Sequence, residues 1–396
     1  MKVIVLGGAG IFGQIVSRRL VQSELVSDLV IAGRTLETCV ALASSLGPKV
    51  SGAEVDVFDE AGLEKFICGA DLIINFTGPE YQTIIPVLRA AIRAGVNYCD
   101  VGVDGGVAKV ALEMSPDAEA AGMTAMIGIG AIPGLFNMTA LHALSCLDEP
   151  KAVHFAYCHE FGALIGSPEE HHERIRSGKS VLAVPKMYMH ALSGKISQFH
   201  DGKLKDVDAY SDPHILPLFS DGAIEVYTFG SSEPITFSRA VPTLKQVTAS
   251  VGFFPPELNQ FFQQEITSAG AGGEEKAFCS IVEGLIGNPE RMTDTTREVV
   301  GCGEVVCIDG IKDGKKVRCI AEPCWNSGSF DPNAVTVDPL MVAVIKFLQG
   351  EINTGGVITP ESWFDPQSFF EELAKMTPIV SVQNGSYVRT RIEPLS

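Results

Sequence analysis

Hydrophobic residues in the first 130 positions form short unbroken runs, separated by segments with helical spacing. The runs are rich in β-branched residues, as in VIVL near the N-terminus, LVIAG at 29–33 and LIIN at 72–75. Such runs are typical of strands buried on both faces of a sheet. Gly47, Gly95 and Gly122 follow the helical segments at the position where glycine ends a helix. Alternating strands and helices predict an α/β fold with a doubly wound parallel sheet.

After residue 150 the pattern changes to alternation of apolar and polar residues. Alternation in AVHFAYCHEF, GAIEVYTFG, PITFSRAVP and REVVGCGEVVCIDGIKDGKKVRCIAE predicts strands with one exposed face, and hence a mostly antiparallel sheet. The Asp313-Gly314 pair predicts a hairpin. We expect residues 252–276, which mix a helical pattern with a Gly-rich loop, to form a lid.

One long segment, Met123–Leu144, contains no Asp, Glu, Lys or Arg and is long enough to cross a bilayer. Pro133-Gly134 interrupt it, and Asn137 and His142 carry polar groups that a bilayer would penalise. We therefore predict a strand, a loop and a helix in a protein that does not span a membrane. The loop would follow the carboxyl end of a strand, where open α/β sheets bind ligands.

Charge and cysteine content narrow the range of partners. The formal net charge is −18, which disfavours nucleic acid and anionic lipid as partners. Cys302, Cys307, Cys319 and Cys324 invite a zinc interpretation, but their runs alternate like strands and we favour small buried thiols and no metal. The histidines at 154, 159, 171 and 172 match no zinc spacing. Reduced thiols and a strand-like N-terminus predict a cytoplasmic protein.

The glycines Gly8, Gly10 and Gly13 lie between the first predicted strand and the first predicted helix. In that context the G-x-G-x-x-G spacing is typical of dinucleotide binding. Gly8 allows the tight turn, Gly10 lets the backbone approach a pyrophosphate, and Gly13 lets the helix close on the strand. Ile11 and Phe12 then present backbone N–H groups of the helix start to the phosphates.

Cofactor choice is made at the end of the second strand, where NAD enzymes carry an acidic residue for the ribose 2′-OH. This chain has Arg34 and Thr35 there, which favour NADP because a guanidinium pairs bidentately with a 2′-phosphate; NAD remains possible. Alternatively Arg34 faces solvent or is neutralised by Glu37. We expect Asp56 to meet the adenine edge. Thr77 and Gly78, after the fourth predicted strand, are placed to flank the nicotinamide.

Several of these segments together resemble the saccharopine dehydrogenase family, which includes saccharopine reductase, carboxynorspermidine synthase and lysine dehydrogenases. They are the glycine turn, IAGRTLE, DLIINFTGPEYQTIIPVLRAAIRAGVNYCDVGVD and GIGAIPGLFNMTALHAL. The resemblance covers about the first 145 residues closely and resumes weakly at VYTFGSSEPITF and GGVITPESWFDPQSFFEEL.

The resemblance implies three parts of the chain: a Rossmann NADP-binding domain at 1–130, a second α+β domain at 131–338 that holds substrate and mediates dimer contacts, and helices at 339–396 that return to the first domain. It also implies an enzyme, an NAD(P)-dependent oxidoreductase that transfers a hydride at a carbon–nitrogen bond of an amino acid or an amino-acid adduct. We therefore expect a homodimer with a small-molecule substrate.

Site residues transfer from this family only in part. Ile132 stands where saccharopine reductases carry an Asp, and Val103 where they carry a Tyr, whereas Cys158 matches an active-site Cys of that family. The form PGLFN is more similar to the lysine dehydrogenase branch. The predicted catalytic set is Asp100, Asp104, Cys158 and His159, with Tyr98 and Asn137 as substrate contacts.

Each predicted role has an alternative. Asp100 or Asp104 would hold a substrate ammonium and Cys158 or His159 would exchange a proton, but Asp100 is equally suited to a structural hydrogen bond. Two other functions stay open. The missing acid at Ile132 fits an NADP-binding redox sensor without turnover, and the apolar AIPGLF loop fits a reductase of a lipid-like C=C or C=O substrate.

Overall fold

The computed structural model describes residues 1–160, 169, 172–173, 176–177, 183–219, 222–270, 272–288, 304–326 and 331–395, with the side chains of 159, 160 and 332 left out. The chain forms two compact units. The first comprises Met1–Val103, Val107–Met138 and Trp325–Ser381, and the second comprises Asp104–Gly106, Thr139–Cys324 and Val382–Ser396. The domain limits expected at residues 130 and 338 stay a prediction.

The strands within the described residues number sixteen. In chain order they are β1 Lys2–Leu6, β2 Asp28–Gly33, β3 Val50–Glu54, β4 Leu72–Asn75, β5 Asn97–Asp100, β6 Thr124–Met126, β7 Glu149–Glu160, β8 Lys195–His200, β9 Lys203–Asp208, β10 His214–Pro217, β11 Ala223–Thr228, β12 Gln246–Phe254, β13 Val305–Lys312, β14 Lys315–Pro323, β15 Gly356–Ile358 and β16 Val388–Pro394.

The helices within the same residues number fourteen. They are α1 Ile11–Leu20, α2 Leu36–Leu46, α3 Glu60–Ile67, α4 Glu80–Ala94, α5 Gly105–Glu113, α6 Ser115–Ala120, α7 Leu135–Leu144, α8 Ala183–Ala191, α9 Glu233–Ala240, α10 Glu257–Ala269, α11 Glu274–Gly287, α12 Pro332–Leu348, α13 Pro360–Trp363 and α14 Pro366–Met376.

The first unit contains a seven-stranded sheet in the order β15, β6, β5, β4, β1, β2, β3, and every pair is parallel. This confirms the predicted doubly wound sheet. Strands β1 and β4 are almost entirely buried, as their unbroken apolar runs indicate. The strand β15, only three residues long, was not predicted from the sequence.

A glycine ends helix α4 as predicted, and a side chain caps the start of α14. Gly95 adopts the left-handed conformation at the end of α4 (φ 65°), where glycine has no steric penalty. The side chain of Asp365 accepts a hydrogen bond from the N–H of Ser368 at the start of α14. Helices α12 and α14 lie in the first unit, which confirms the predicted return of the C-terminal helices, and Phe369 and Phe370 are fully buried there.

The second unit contains a nine-stranded sheet with the path β10, β11, β12, β7, β13, β14, β16, to which β8 and β9 are attached through β12. Its pairs are antiparallel except for β7 with β12, which run parallel at the centre. The sheet is thus mixed, and mostly antiparallel as predicted. Asp313 and Gly314 both have positive φ (49° and 72°) in the turn between β13 and β14, which confirms the predicted hairpin.

One expectation for this unit was wrong. PITFSRAVP is not a strand, because Glu233–Ala240 is helical with Pro234 in its first turn. All residues from Glu233 to Ser238 are buried, so the helix has no polar face to show its period, and the alternation imitated a strand. Residues 252–276 comprise the end of β12, helix α10, a turn that contains Gly270 and Gly272, and the start of α11, as the mixed pattern predicted; their role as a lid stays a prediction. Phe253 packs edge-on against Phe262 of α10 (centroids 5.0 Å apart).

The uncharged segment Met123–Leu144 comprises β6, a loop and the ten-residue helix α7. This confirms the predicted strand, loop and helix. No helix in the described part of the chain is long and apolar enough to cross a membrane.

Candidate functional site

The turn between β1 and α1 is built around glycines for two different reasons. A Cβ on Gly13 would lie 2.5 Å from the carbonyl oxygen of Gly7, and one on Gly8 would lie 2.7 Å from that of Val5, so neither position has room for a side chain. A Cβ on Gly10 would approach only the Gly7 oxygen, at 3.1 Å. Apart from that oxygen and the chain neighbours of Gly10, no atom of the described residues lies within 4 Å of such a Cβ, as close approach of a ligand requires.

Helix α1 begins with hydrogen-bond donors that no side chain satisfies. Gly10 is its N-terminal cap, no side chain caps it, and the first turn contains no acidic residue. Ile11 is 71% exposed at this end, and the ring of Phe12 packs against that of Phe76 with centroids 6.1 Å apart. The backbone N–H groups and the positive end of the helix dipole therefore suit a pyrophosphate. The residues present fit a dinucleotide.

The end of β4 lies directly beside this turn. A Cβ on Gly7 would come within 2.6 Å of the Phe76 oxygen. The hydroxyl and the N–H of Thr77 both donate to Oδ1 of Asn75, at 2.6 and 3.0 Å, which fixes Thr77 and Gly78 next to the glycine turn. Their location agrees with the expected role near the nicotinamide, which stays a prediction.

Arg34 is the first residue after β2 and is exposed. Among the described residues no carboxylate forms an ion pair with Arg34, and Glu37 is exposed as well. Thr35 caps α2 by position but its hydroxyl makes no capping bond. Asp56 lies beyond β3, exposed, and accepts from the N–H of Phe58 at 3.0 Å. A guanidinium and a hydroxyl are thus presented together where a 2′-phosphate would lie.

Asp100 is buried and ties two loops together. Its Oδ1 accepts hydrogen bonds from the N–H groups of Gly102 and Gly128, each at 2.8 Å. Burial raises the pKa of Asp100, and the two N–H donors oppose that rise. Tyr98 is also fully buried, and its hydroxyl accepts from Nδ2 of Asn75 at 3.0 Å. These contacts match the structural alternative for Asp100; the catalytic role of Asp100 and the substrate role of Tyr98 stay predictions.

The loop before α7 is held by its own backbone and by Asn137. Gly134 has φ 122°, and a Cβ there would overlap the carbonyl oxygen of Gly130. The N–H of Gly134 donates to Oδ1 of Asn137 at 3.1 Å, so Asn137 supports the helix start. Its buried Nδ2 has no hydrogen-bond partner within the described residues. A donor therefore remains for a substrate, which is the predicted role of Asn137, still untested. Ile132 is buried in the same loop.

Cys158 lies in an apolar cluster of the second unit. Its neighbours there include Ala156, Leu216 and Cys307, and it is 1% exposed. Burial, followed by the nearby carboxyl of Glu304, raises the pKa of its thiol well above the usual range. His159 pairs in register with Phe253, but its side chain lies outside the described residues. The catalytic roles of Cys158 and His159 stay predictions.

A polar cluster on the opposite face of β7 was missed by the sequence analysis. The hydroxyl of Tyr157 donates to Oε1 of Glu233 at 2.8 Å and lies 2.5 Å from Oγ of Ser231, which also donates to Glu233. All three residues are almost fully buried. Their signal was the segment GSSEP, which places a carboxylate at the first turn of a helix.

Asp104 adjoins this cluster through its backbone, which forms an isolated antiparallel bridge with Ser231. Its Oδ2 lies 3.4 Å from Nε2 of His190, and Nδ1 of His190 lies 3.7 Å from a carboxylate oxygen of Glu274. The side chain of His190 is 39% exposed. An imidazole between two carboxylates can hold or pass a proton.

No group of three potential metal ligands is found among the residues that the structure describes. Cys307 pairs with Ile320 and Ile308 pairs with Cys319, so Cys307 and Cys319 project from opposite faces of the hairpin. Cys302 and His171 lie outside the described residues.

The buried carboxyl of Glu304 lies near Cys158, and its raised pKa should make the stability of the protein depend on pH. Burial raises its pKa from 4.5 to about 7, so the unfolded chain loses this proton at lower pH than the folded chain. The free energy of unfolding should therefore fall as the pH rises through that interval. Glu304→Gln should remove this decline and be more stable at about pH 8 by roughly 3 kcal/mol. Chemical denaturation at several pH values measures it. Glu283→Gln, at an exposed site, is the control, and an unchanged pH dependence in Glu304→Gln would contradict the interpretation.

A parallel sheet of this order, with an open glycine turn ahead of an uncapped helix, defines a dinucleotide-binding protein of the Rossmann class. Residues 3–126 match the family model described as the Saccharopine dehydrogenase NADP binding domain. The resemblance predicted from the sequence is thus confirmed for the N-terminal part of the chain, which is similar to a nicotinamide-cofactor-binding domain.

Similar proteins extend the match beyond this domain. Carboxyaminopropylagmatine dehydrogenase from Synechocystis is 24% identical over 98% of both chains. Carboxynorspermidine synthase from Vibrio cholerae is 22% identical over 94% of both chains. The solved structure of saccharopine dehydrogenase (L-Glu forming) from Saccharomyces cerevisiae is 17% identical, covers 99% of both chains and has a TM-score of 0.63, which shows a common fold.

Proposed function

We propose that this protein is an NADP-dependent oxidoreductase that acts at the carbon–nitrogen bond of an amino-acid adduct, a secondary amine that carries a carboxylate. One observation carries the proposal. The similarity to relatives named for carboxylated amines runs through both units, covering 98% of the chain for carboxyaminopropylagmatine dehydrogenase. Similarity confined to the cofactor domain would support only nucleotide binding.

NADP is proposed over NAD on the basis of Arg34 and Thr35. The exposed guanidinium follows β2 at the position that selects the ribose substituent, and no acidic residue replaces it. The cofactor supplies or accepts the hydride when bound. Gly10 leaves room for its pyrophosphate, Gly8 and Gly13 let the turn pack closely on itself, and the N–H groups at Ile11 and Phe12 bind the phosphate oxygens.

Reduction of a C=N bond adds a hydride to carbon and a proton to nitrogen, so the protein must manage one proton. Asp104 and His190 support this role, because their side chains lie 3.4 Å apart and the imidazole is partly exposed. We propose that Asp104 binds the substrate ammonium and that His190 exchanges the proton. The hydrogen bonds among Tyr157, Ser231 and Glu233 hold the backbone that bridges Asp104.

The experiment is a turnover assay with the purified chain. NADP reduction is followed with saccharopine, carboxynorspermidine and carboxyaminopropylagmatine, and NADPH oxidation with amino-acid semialdehydes mixed with diamines. We expect turnover with at least one carboxylated secondary amine, faster with NADP than with NAD. His190→Gln should lower kcat and shift its pH profile, with nucleotide affinity unchanged. Activity with a primary amino acid alone would overturn the adduct proposal.

Two alternatives give different results in the same assay. A redox sensor would bind NADPH tightly and consume none with any amine, as the missing acid at Ile132 suggests. A reductase of a lipid-like C=C or C=O substrate would oxidise NADPH with enoyl or keto substrates only. The trans-acting enoyl reductase from Mycobacterium ulcerans matches just 25% of this chain, so it supports the cofactor domain and not this activity.

We also propose a cytoplasmic homodimer whose substrate and dimer contacts lie in the region 131–338. The relatives are named for small-molecule chemistry, which supports a substrate site in this protein. Within the described residues β10 and β16 lie at the edges of the second sheet, where a subunit could make contact. Light scattering after size-exclusion chromatography tests the dimer: a single species at the monomer mass of 42.2 kDa would contradict it.

A further inference from the structure

The segment after α7 is anchored to the hairpin of the second unit. Nζ of Lys312 donates to the carbonyl oxygen of Cys146 at 2.8 Å, and the N–H of Asp148 donates to the oxygen of Ile311 at 2.9 Å. The N–H of Asp313 donates to the carboxylate of Asp148 at 2.7 Å. These three bonds fix the half-buried Cys146 over the sheet.

A second cysteine lies beneath it. Strands β14 and β16 pair Cys319 with Ile392 and Ala321 with Thr390, so Cys319 and Thr390 project from the same face. Sγ of Cys146 lies 3.9 Å from Oγ1 of Thr390, and a hydrogen bond with the thiol of Cys319 is the largest influence on its pKa. Cys146 therefore lies beside Cys319 on this face of the sheet, and both thiols are free.

The surroundings make the two thiols unequal. The hydrogen bond from Cys319, with help from Thr390 and the charges of His142 and Lys312, lowers the pKa of Cys146 to about 6. The same hydrogen bond, followed by burial, raises the pKa of Cys319. At neutral pH Cys146 is thus a thiolate and Cys319 a thiol, which are the forms of an attacking and a resolving cysteine.

We propose that Cys146 and Cys319 form an oxidation site, at which a hydroperoxide converts the thiol pair to an intramolecular disulfide. The thiolate of Cys146 attacks one peroxide oxygen, the O–O bond breaks, and Cys146 becomes a sulfenic acid. The sulfur of Cys319 then displaces the sulfenic oxygen, which leaves as water after taking up a proton. Two thiols and one hydrogen peroxide give one disulfide and two waters.

No other cysteine among the described residues has this combination. Cys99 and Cys307 are fully buried, and burial raises the pKa of each. Cys68 is exposed but lies in the first unit, so it serves as the control for accessibility alone. The proposal does not depend on the proposed enzyme activity.

Peptide mapping of the reduced full chain after a short exposure to hydrogen peroxide tests the site. A disulfide that links the peptides of Cys146 and Cys319 is expected, whereas its absence while Cys68 is oxidised would overturn the proposal.

In Cys319→Ala the sulfenic acid should persist on Cys146 and be trapped by dimedone; no adduct would also overturn it. In the wild type, alkylation of Cys146 by iodoacetamide should have its midpoint near pH 6, and Cys319→Ala should raise that midpoint. Cys68→Ser should change none of these results.

Discussion

Arg34→Ala should weaken NADP binding by about 10- to 150-fold, which corresponds to roughly 1.5–3 kcal/mol for the loss of hydrogen bonds between charged groups. The exposed guanidinium follows β2 directly and forms no ion pair or hydrogen bond among the described residues, so its removal breaks none there. Binding of NAD, which has no 2′-phosphate, should change little. Calorimetric titration of both nucleotides measures the difference.

Arg18→Ala is the matched control, because Arg18 is also exposed but lies in the last turn of α1. It removes the same charge from the same unit, so any general electrostatic loss would appear in both variants. A wild type that prefers NAD would contradict the NADP assignment, and so would an Arg34→Ala variant that weakens both nucleotides equally.

Gly134→Ala should be among the most destabilising substitutions in the first unit. A Cβ there overlaps the carbonyl oxygen and the nitrogen of Gly130, and the φ of 122° is one that L residues rarely adopt. We expect a loss of about 1–3 kcal/mol from the backbone strain and a similar loss from the overlap. Gly134→Val would be worse. Chemical denaturation gives the free energy of unfolding.

Gly47→Ala separates the two causes. Gly47 has nearly the same φ, 118°, but a Cβ there meets nothing within 4 Å. It should therefore lose only the strain contribution, about 1–3 kcal/mol. Equal losses for Gly47→Ala and Gly134→Ala would show that the close contact with Gly130 has no cost, and the interpretation of this loop would fail.

The sequence predicted those parts of the fold that depend on local pattern. Unbroken apolar runs specified the parallel sheet, Gly95 marked a helix end, and Asp313-Gly314 specified the hairpin. Helix α9 was misread because a helix buried on every side shows no amphipathic period. Strands β15 and β16 were missed since one is only three residues long and the other is largely exposed, so neither has a distinct apolar run.

The candidate site also contains residues that local sequence pattern could predict and residues that it could not. The glycine turn and Arg34 belong to one continuous strand–turn–helix–strand segment, so their chemistry could be predicted from spacing. The Tyr157, Ser231 and Glu233 cluster and the Asp104–His190 pair bring together residues distant in sequence. No local pattern specifies such contacts. Burial of Asp100, likewise, depends on the Gly128 loop that folds over it.

Transfer of deuterium from labelled NADPH is the most direct test of the claim that the protein transfers a hydride at a carbon–nitrogen bond. The chain is incubated with NADPH that carries deuterium at nicotinamide C4, in separate pro-R and pro-S forms, together with amino-acid semialdehydes and diamines, and the products are analysed by mass spectrometry and NMR. Hydride transfer at a carbon–nitrogen bond predicts that one of the two forms places deuterium on the carbon bonded to the new secondary nitrogen. Deuterium on a carbon not bonded to nitrogen, or NADPH that binds and stays unconsumed across the whole panel, would contradict it.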